Sequence, residues 1–269
     1  MRPSAWLAVA LLCGLAGIAQ GHAASGALPD AAAYLIMADG KTLWSKEADK
    51  RLPPASLTKL MTALLVMEAK DTGRIVMVGK AAANETGTRL GLRAGDRMKV
   101  EDLLAAALIQ SANDACHALA DHVAGDQARF VALMNARTQT WGLANTHFEN
   151  ACGHDQPAHY ASARDLAALA ERALAQPMIA RLVALPAYDV RTTDGHRRFH
   201  LRNKNYLIGH YPGAIGVKTG YTRQAGKCLI AAARQDGHNV LLVMLNARNR
   251  WWDALDTLER VFADLQYAS

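Results

Sequence analysis

Aromatic residues make up only 6% of this 269-residue sequence, and its lysines and arginines are not gathered beside them. A nucleic-acid surface needs both in one place, so no nucleic-acid partner is expected; the formal charge of +6 suits an anionic polymer or surface instead. Cysteine is as sparse: Cys13, Cys116, Cys152 and Cys228 are the whole supply, and none has the paired spacing of a zinc site. With Cys13 set aside in the N-terminal segment described below, an odd three remain. That is no disulfide framework, but it leaves room for one bridge between any two. The histidines offer no metal motif: His117 and His122 lie five apart rather than on one helix face, and no His-Glu-x-x-His occurs. His196, His200 and His210 stand in strand or loop context without a paired carboxylate motif, so neither metal nor cofactor is expected. Gly87, Gly91 and Gly95 are not followed by Lys-Ser or Lys-Thr and make no phosphate loop.

Long apolar runs are missing too, with one exception. Ala5 to Ala19 is unbroken, but it follows Arg2, is too short to span a bilayer well, and leads into the small residues Gly21, Ala23 and Ala24. This layout predicts a secretory signal over residues 1–24, cleaved after Ala23 or Ala24. Lipidation of Cys13 is not expected, because Leu12 stands where a small residue is needed. The mature chain, residues 25–269, is then expected to carry no integral membrane anchor and to be soluble in a periplasmic or other extracytoplasmic space.

What the sequence does hold is apolar surface, 51% hydrophobic against 20% charged, enough to core a single catalytic unit. Asp39-Gly40, Asp194-Gly195 and Asp236-Gly237 each lie between strand-like segments and predict three hairpins. In this reading Tyr34–Ala38 pairs with Thr42–Ser45, and Cys228–Arg234 with Asn239–Leu245, which brings strands from both chain ends into play. Between them Leu57, Leu60, Met61, Leu64 and Leu65 repeat with helical period after Pro53-Pro54, as do Leu103, Leu104, Ala107 and Leu108. Ser162 with Asp165 predicts a capping box for a helix through Ala175, stopped near Pro177. Thr72 to Arg97 reads as short strands and turns, and Trp251 to Leu265 as an amphipathic helix packed on the sheet. The expected fold is α+β: an antiparallel sheet of N- and C-terminal strands, flanked by helices, with a mostly helical middle region.

Three short motifs carry chemistry. Ser56-Leu57-Thr58-Lys59 puts a hydroxyl and an amine three residues apart at a helix start, on one face and within reach of each other. That is a nucleophile beside its base, at a helix end favourable to developing negative charge. Alone it is weak, since about one Ser-x-x-Lys arises by chance in a chain this long. Ser111-Ala112-Asn113 falls between two predicted helices, the second running from Asp114 to His122 with Gly125 as its stop, where a turn can aim both side chains into a cleft. Taken singly, Ser111 or Asn113 reads as a helix cap. Lys218-Thr219-Gly220, before Tyr221, reads as a strand with a cation, a hydroxyl and a glycine where backbone must approach a ligand. The trio, in this order, is far more specific than any member.

The sequence resembles the low-molecular-mass penicillin-binding proteins, the D-alanyl-D-alanine carboxypeptidases of the S11 serine peptidases. The likeness runs through Pro53 to Thr62, Gln110 to Ala115, Gly142 to Phe148, Ser162 to Leu166 and Gly216 to Thr222. It implies a serine β-lactamase/transpeptidase-like fold and a penicillin-sensitive D-Ala-D-Ala carboxypeptidase acting on peptidoglycan stem peptides, with β-lactams as covalent inhibitors. By chemistry and resemblance Ser56 is the nucleophile and Lys59 its base. Ser111 relays a proton, and Asn113 holds the substrate amide and orients Lys59. The likeness further implies an oxyanion hole from the N–H groups of Ser56 and Tyr221, with Gly220 permitting the approach, and a substrate carboxylate held by Lys218 and Thr219. Lys204, where some relatives carry an arginine, is a lesser candidate for the same carboxylate.

Cys152-Gly153-His154-Asp155 stands where the family usually has His-Gly-Leu-Asp. Larger members add a C-terminal β-rich domain and an amphipathic anchor, whereas this sequence stops soon after the helix through Phe262, so a catalytic domain without that anchor is expected. Three other readings stay open. A D,D-endopeptidase would use the same serine on cross-links. A class A β-lactamase would need Ser-Asp-Asn in place of Ser111-Ala112-Asn113, with Glu149 activating water, although Gly153 stands where that pattern has asparagine. A non-catalytic peptidoglycan-binding protein would keep the fold without the chemistry.

Overall fold

A computed structural model describes residues 28–268; the expected signal segment, residues 1–24, lies outside the described residues. The chain opens with strands β1 (Ala31–Ala38) and β2 (Lys41–Lys46), then a 3-10 turn (Ala55–Thr58) leading into helix α1 (Lys59–Glu68). Two short strands, β3 (Ile75–Met77) and β4 (Arg97–Lys99), flank α2 (Lys80–Ala83). The helical middle follows: α3 (Val100–Ile109), α4 (Asn113–Ala124), α5 (Gln127–Thr140), α6 (Ala163–Leu174) and α7 (Pro177–Ala184). Strands β5 (Ala187–Arg191) and β6 (Arg198–Arg202) form a separate ribbon. The chain returns through β7 (Ala214–Thr222), β8 (Gly226–Gln235) and β9 (His238–Ala247) to α8 (Arg250–Ala268).

The main sheet has five strands in the order β2-β1-β9-β8-β7, every pair antiparallel. The α+β expectation holds, and so does the joining of the two chain ends, because β1 pairs directly with β9. All three Asp-Gly hairpins form. At Asp39-Gly40 and Asp236-Gly237 both residues take positive φ, the two-residue turn that matches the strand twist. At Asp194-Gly195 only the glycine does, and that hairpin closes through a wider loop.

Strands β8 and β9 are apolar almost without interruption because both faces of the sheet are covered. Leu229, Ala231, Leu242 and Met244 pack with Ala254, Leu258, Val261 and Phe262 of α8, while Ile230, Ala232, Val243 and Leu245 face the helical middle. Strand β7 is left as an edge, free to pair along its outer side.

Several details differ from expectation: α4 runs Asn113–Ala124 rather than Asp114 to His122, and the short helix α2 stands in the stretch expected to hold only strands and turns. Pro177 does not merely stop α6; it opens α7 from the first helical position, where its missing N–H costs nothing. Ser162 caps α6 by accepting from the Asp165 N–H at 3.1 Å, but only half of the capping box forms. The Asp165 carboxylate turns instead to the Asn145 N–H and the Thr146 hydroxyl, both at 2.8 Å.

Candidate active site

Ser56 sits on the 3-10 turn that Pro53-Pro54 delays before α1 can begin. Ala55 has φ +49°, a left-handed conformation that costs a non-glycine residue about 1 kcal/mol or more and persists only when its surroundings enforce it. The enforcing contacts are identifiable. The Thr58 hydroxyl donates to the Ala55 carbonyl at 2.8 Å and faces His159 Nε2 at 2.8 Å. Because His159 Nδ1 accepts from the Glu149 N–H at 3.0 Å, Nε2 carries the proton given to Thr58. Gly153, at φ +89°, lies so close that a Cβ there would fall 2.0 Å from the Ala55 oxygen and 2.8 Å from the Ser56 nitrogen. Gly220 of β7 approaches from the other side; a Cβ on it would meet the Pro54 oxygen at 3.0 Å and the Ser56 nitrogen at 3.2 Å. The sheet edge and the serine turn therefore touch backbone to backbone.

Lys59 is 1% exposed, and its Nζ lies 2.9 Å from Ser56 Oγ, 2.7 Å from Asn113 Oδ1 and 2.6 Å from the Cys152 carbonyl. Burial drives its amine well below the ordinary lysine range, and Lys218 pushes the same way, while Glu85 and Asp114 favour the charged form. The amide of Asn113 has a settled orientation, since its Nδ2 donates to the Thr86 carbonyl at 2.6 Å and leaves Oδ1 for Lys59. Beside it Asp114 accepts the N–H groups of Leu90, Gly91 and Leu92, holding the preceding segment on α4.

Ser111 occupies the link between α3 and α4 with φ +65° and is 8% exposed; its hydroxyl has no hydrogen-bond partner among the described residues. Lys218 is buried on β7 and donates to the Thr219 carbonyl at 2.9 Å. Burial brings its amine down to about 7, with the charge of Arg250 adding to the effect. Thr219 is buried alongside, while the Tyr221 side chain is exposed, so any part Tyr221 plays falls to its backbone. Lys204 is exposed; its N–H donates to the Ile109 carbonyl at 3.1 Å, which ties its segment to the end of α3 just before Ser111.

Arg250 escaped the motif reading. Its Nη1 donates to the Gly220 carbonyl at 2.8 Å and the Cys228 carbonyl at 3.3 Å, its guanidinium lies over the Trp251 ring, and its Nε is buried without a partner among the described residues. With Lys204 and Trp251 it lines a cleft of about 630 Å³. One signal was legible: an arginine at the first position of a helix is on the wrong end for the helix dipole, so something else must hold it there.

A family model described as D-alanyl-D-alanine carboxypeptidase, peptidase S11, matches residues 21–249. The chain belongs to this family. Among its relatives, D-alanyl-D-alanine carboxypeptidase DacF of Bacillus subtilis is 40% identical over 222 residues, covering 80% of this chain and 57% of that protein. The Escherichia coli D-alanyl-D-alanine carboxypeptidase DacC is 36% identical over 233 residues, covering 81% of this chain and 57% of that protein. The chain thus spans little more than half the length of these relatives. The structure is similar to that of the Streptomyces K15 DD-transpeptidase, with a TM-score of 0.82 and 31% identity over 88% of this chain and 98% of that one. The resemblance read from the sequence is borne out, and with it the penicillin-binding type of fold.

At residues 152–155, where the resemblance leads one to expect a different loop sequence, the structure shows what the residues present do. Cys152 is bonded to Cys116 of α4 as a disulfide, which selects one bridge from the three open in the sequence and leaves Cys228 as a buried thiol pushed up to about 11 by its burial. Asp155 accepts from the Thr222 hydroxyl at 2.5 Å and the Gln224 N–H at 3.3 Å, joining the loop to the end of β7. Glu149 is occupied with the Ala158 N–H at 2.8 Å, in the loop beyond the lysine cluster.

Proposed function

We propose that the protein is a serine-type D-Ala-D-Ala carboxypeptidase that acts on peptidoglycan stem peptides through an acyl-enzyme on Ser56 and is trapped there by β-lactams. What supports this most directly is the set of partners around Lys59 Nζ. A neutral amine has two N–H groups and one lone pair. Of its three neighbours, the Asn113 and Cys152 carbonyl oxygens can only accept. Both N–H groups are therefore committed to them, and the lone pair is left facing Ser56 Oγ, the one neighbour with a proton to give. Lys59 then takes the hydroxyl proton as Ser56 attacks the D-Ala carbonyl carbon.

The oxygen of that carbonyl becomes negative and sits against the N–H groups of Ser56 and Tyr221, which the close approach of Gly220 to the serine turn makes neighbours. Protonated Lys218 with Thr219 holds the substrate carboxylate, and Arg250 and Lys204, which line one cleft, add positive charge. Ser111, whose hydroxyl is otherwise unengaged, carries the proton from Lys59 to the departing amine. Water then cleaves the ester, with Lys59 again as base. Residues 25–269 are the catalytic unit in this reading, and it works outside the cytoplasm, where peptidoglycan lies and where the Cys116–Cys152 bridge persists. Among the described residues, no helix is long and apolar enough to cross a membrane.

Incubation with benzylpenicillin followed by intact-mass measurement tests the reading: a stoichiometric adduct on Ser56 is expected, and folded protein that takes none would refute it. Lys59→Ala is expected to keep the fold and slow acylation by about a thousandfold or more. Products from a pentapeptide and a cross-linked dimer, analysed side by side, separate release of free D-alanine from scission of cross-links.

A further inference from the structure

Glu85 lies outside the motifs singled out in the sequence, yet it connects the two segments that surround Lys59. Its carboxylate is largely buried, with 16% of the side chain exposed. Oε1 is 2.6 Å from His117 Nδ1, and Oε2 is 2.9 Å from His154 Nε2 and 3.1 Å from the Thr86 N–H. A carboxylate only accepts, so both imidazoles donate to it and their tautomers are set. His117 stands one turn after Asn113 on the same face of α4, and its Nε2 faces Asp121 at 3.5 Å, a further turn along. Glu85 begins the segment 85–88, whose Thr86 carbonyl accepts from Asn113 Nδ2 and whose Thr88 carbonyl accepts from the Asn113 N–H at 2.7 Å. His154 follows Gly153 and Cys152, and the Cys152 carbonyl accepts from Lys59.

We propose that Glu85 is a positioning residue of the catalytic centre: through His117 and His154 it clamps segment 85–88 and loop 150–155 to α4, and so fixes the two carbonyl acceptors that aim the Lys59 lone pair at Ser56. The inference rests on the function proposed above. Without the clamp, the Asn113 amide loses the wall behind Nδ2, and the loop loses its tie at His154, the disulfide, the Asn150 side chain, the Thr62 hydroxyl and the Asp155 contacts to β7 remaining. Misplacement of a catalytic group by about 1 Å is enough to slow a reaction a hundredfold.

The charge of Glu85 has a second effect. Burial pushes its carboxyl up, but the hydrogen bonds from His117, His154 and Thr86 outweigh that and hold it ionised well below the usual carboxylate range. The anion favours the ammonium that Lys59 becomes on taking the serine proton, together with Asp114 and against Lys218. The titratable groups facing Glu85 and Lys59 are thus His117, Asp114 and Asp121 on α4, His154 on the loop and Lys218 on β7.

The test is the pH profile of acylation by a fluorescent penicillin, normalised to folded protein, in wild type, Glu85→Gln, His154→Ala and His154→Gln. Removing the Glu85 charge is expected to move the acid limb down by roughly half a unit to one unit and to lower the plateau about tenfold. His154→Ala keeps that charge and frees one loop, so its plateau falls with no downward shift of the acid limb. His154→Gln returns an N–H to Glu85 and recovers most of the rate. Wild-type limb and plateau in both Glu85→Gln and His154→Ala, or a loss of thermal stability with unchanged kinetics per folded molecule, would overturn the inference while leaving the carboxypeptidase reading in place. Should Glu85→Gln not fold, the two His154 variants decide, because that side chain is one-third exposed. A wild type that takes no adduct would remove the proposed function and this inference together.

Discussion

At the scale of single residues, the site depends on two lysines with different tasks. In the proposed mechanism Lys59 works as a base only when neutral, and Lys218 holds the substrate carboxylate only when charged. Both amines are buried and both are lowered, but Lys218 only to about 7. In the free enzyme kcat/KM is therefore expected to rise as Lys59 loses its proton and to fall again above about pH 7 as Lys218 loses its own. A bound substrate carboxylate favours protonated Lys218, so the basic limb of kcat should lie at higher pH than that of kcat/KM. Stopped-time assays of D-alanine release, run from well below to well above about pH 7, would show it. Lys218→Gln, which cannot titrate, should abolish that limb and raise KM. A wild-type profile flat through neutrality would remove Lys218 from its task.

At the scale of elements, the proposed catalysis needs three backbone segments to meet: the serine turn, β7 and loop 150–155. Glycines sit at both contacts, and the contact at Gly153 is the more severe. Gly153→Ala should cost at least about 2 kcal/mol from its φ of +89° alone. Because the new Cβ would collide with the Ala55 carbonyl, Ser56 must also move, and acylation is expected to fall about a hundredfold. Gly142→Ala is the control: φ is +69° there but, apart from its chain neighbours, an added Cβ would meet no described atom within 4 Å, so it should lose stability without slowing acylation. Denaturant unfolding and penicillin acylation, measured on both variants, separate strain from displacement. A Gly153→Ala protein that acylates at the wild-type rate would show that the turn does not need this wall.

At the scale of the whole molecule, stability is tied to pH through His159, which braces the serine turn from a buried position. Burial lowers its imidazole to about 4 from an ordinary 6.5, and the charges of His147 and His154 add to that. Above pH 6.5 both folded and unfolded chains carry it neutral, and its contribution is complete. As pH falls from 6.5 towards 4 the unfolded chain takes up the proton first, and up to about 3 kcal/mol of stability is lost. Urea unfolding at pH 7, 5.5 and 4.5 should show this decline, and His159→Gln should flatten it (roughly the window between the two pKa values). An equal slope in the variant would assign the acid sensitivity elsewhere. The Cys116–Cys152 bridge opposes unfolding at every pH: closing a loop with a sequence separation of 36 is worth about 4 kcal/mol in chain entropy.

The amino-acid sequence by itself determined the parts whose physics is local. Asp-Gly turns, the apolar runs of β8 and β9 and the helical period after Pro53-Pro54 specify their elements from neighbouring residues alone, and the three short motifs marked most of the residues around the serine. Tertiary structure alone decided what depends on approach across the fold. Arg250 reaches Gly220 over 30 positions and His154 reaches Glu85 over 69, while Cys152 finds Cys116 rather than Cys228. No periodicity or spacing encodes such contacts, because they arise only when packing brings distant segments within hydrogen-bonding distance. The lysine is the clearest case. Its place three residues after the serine was legible, but the lowering of its amine follows from burial among α1, α4 and loop 150–155, which exists only in the folded chain.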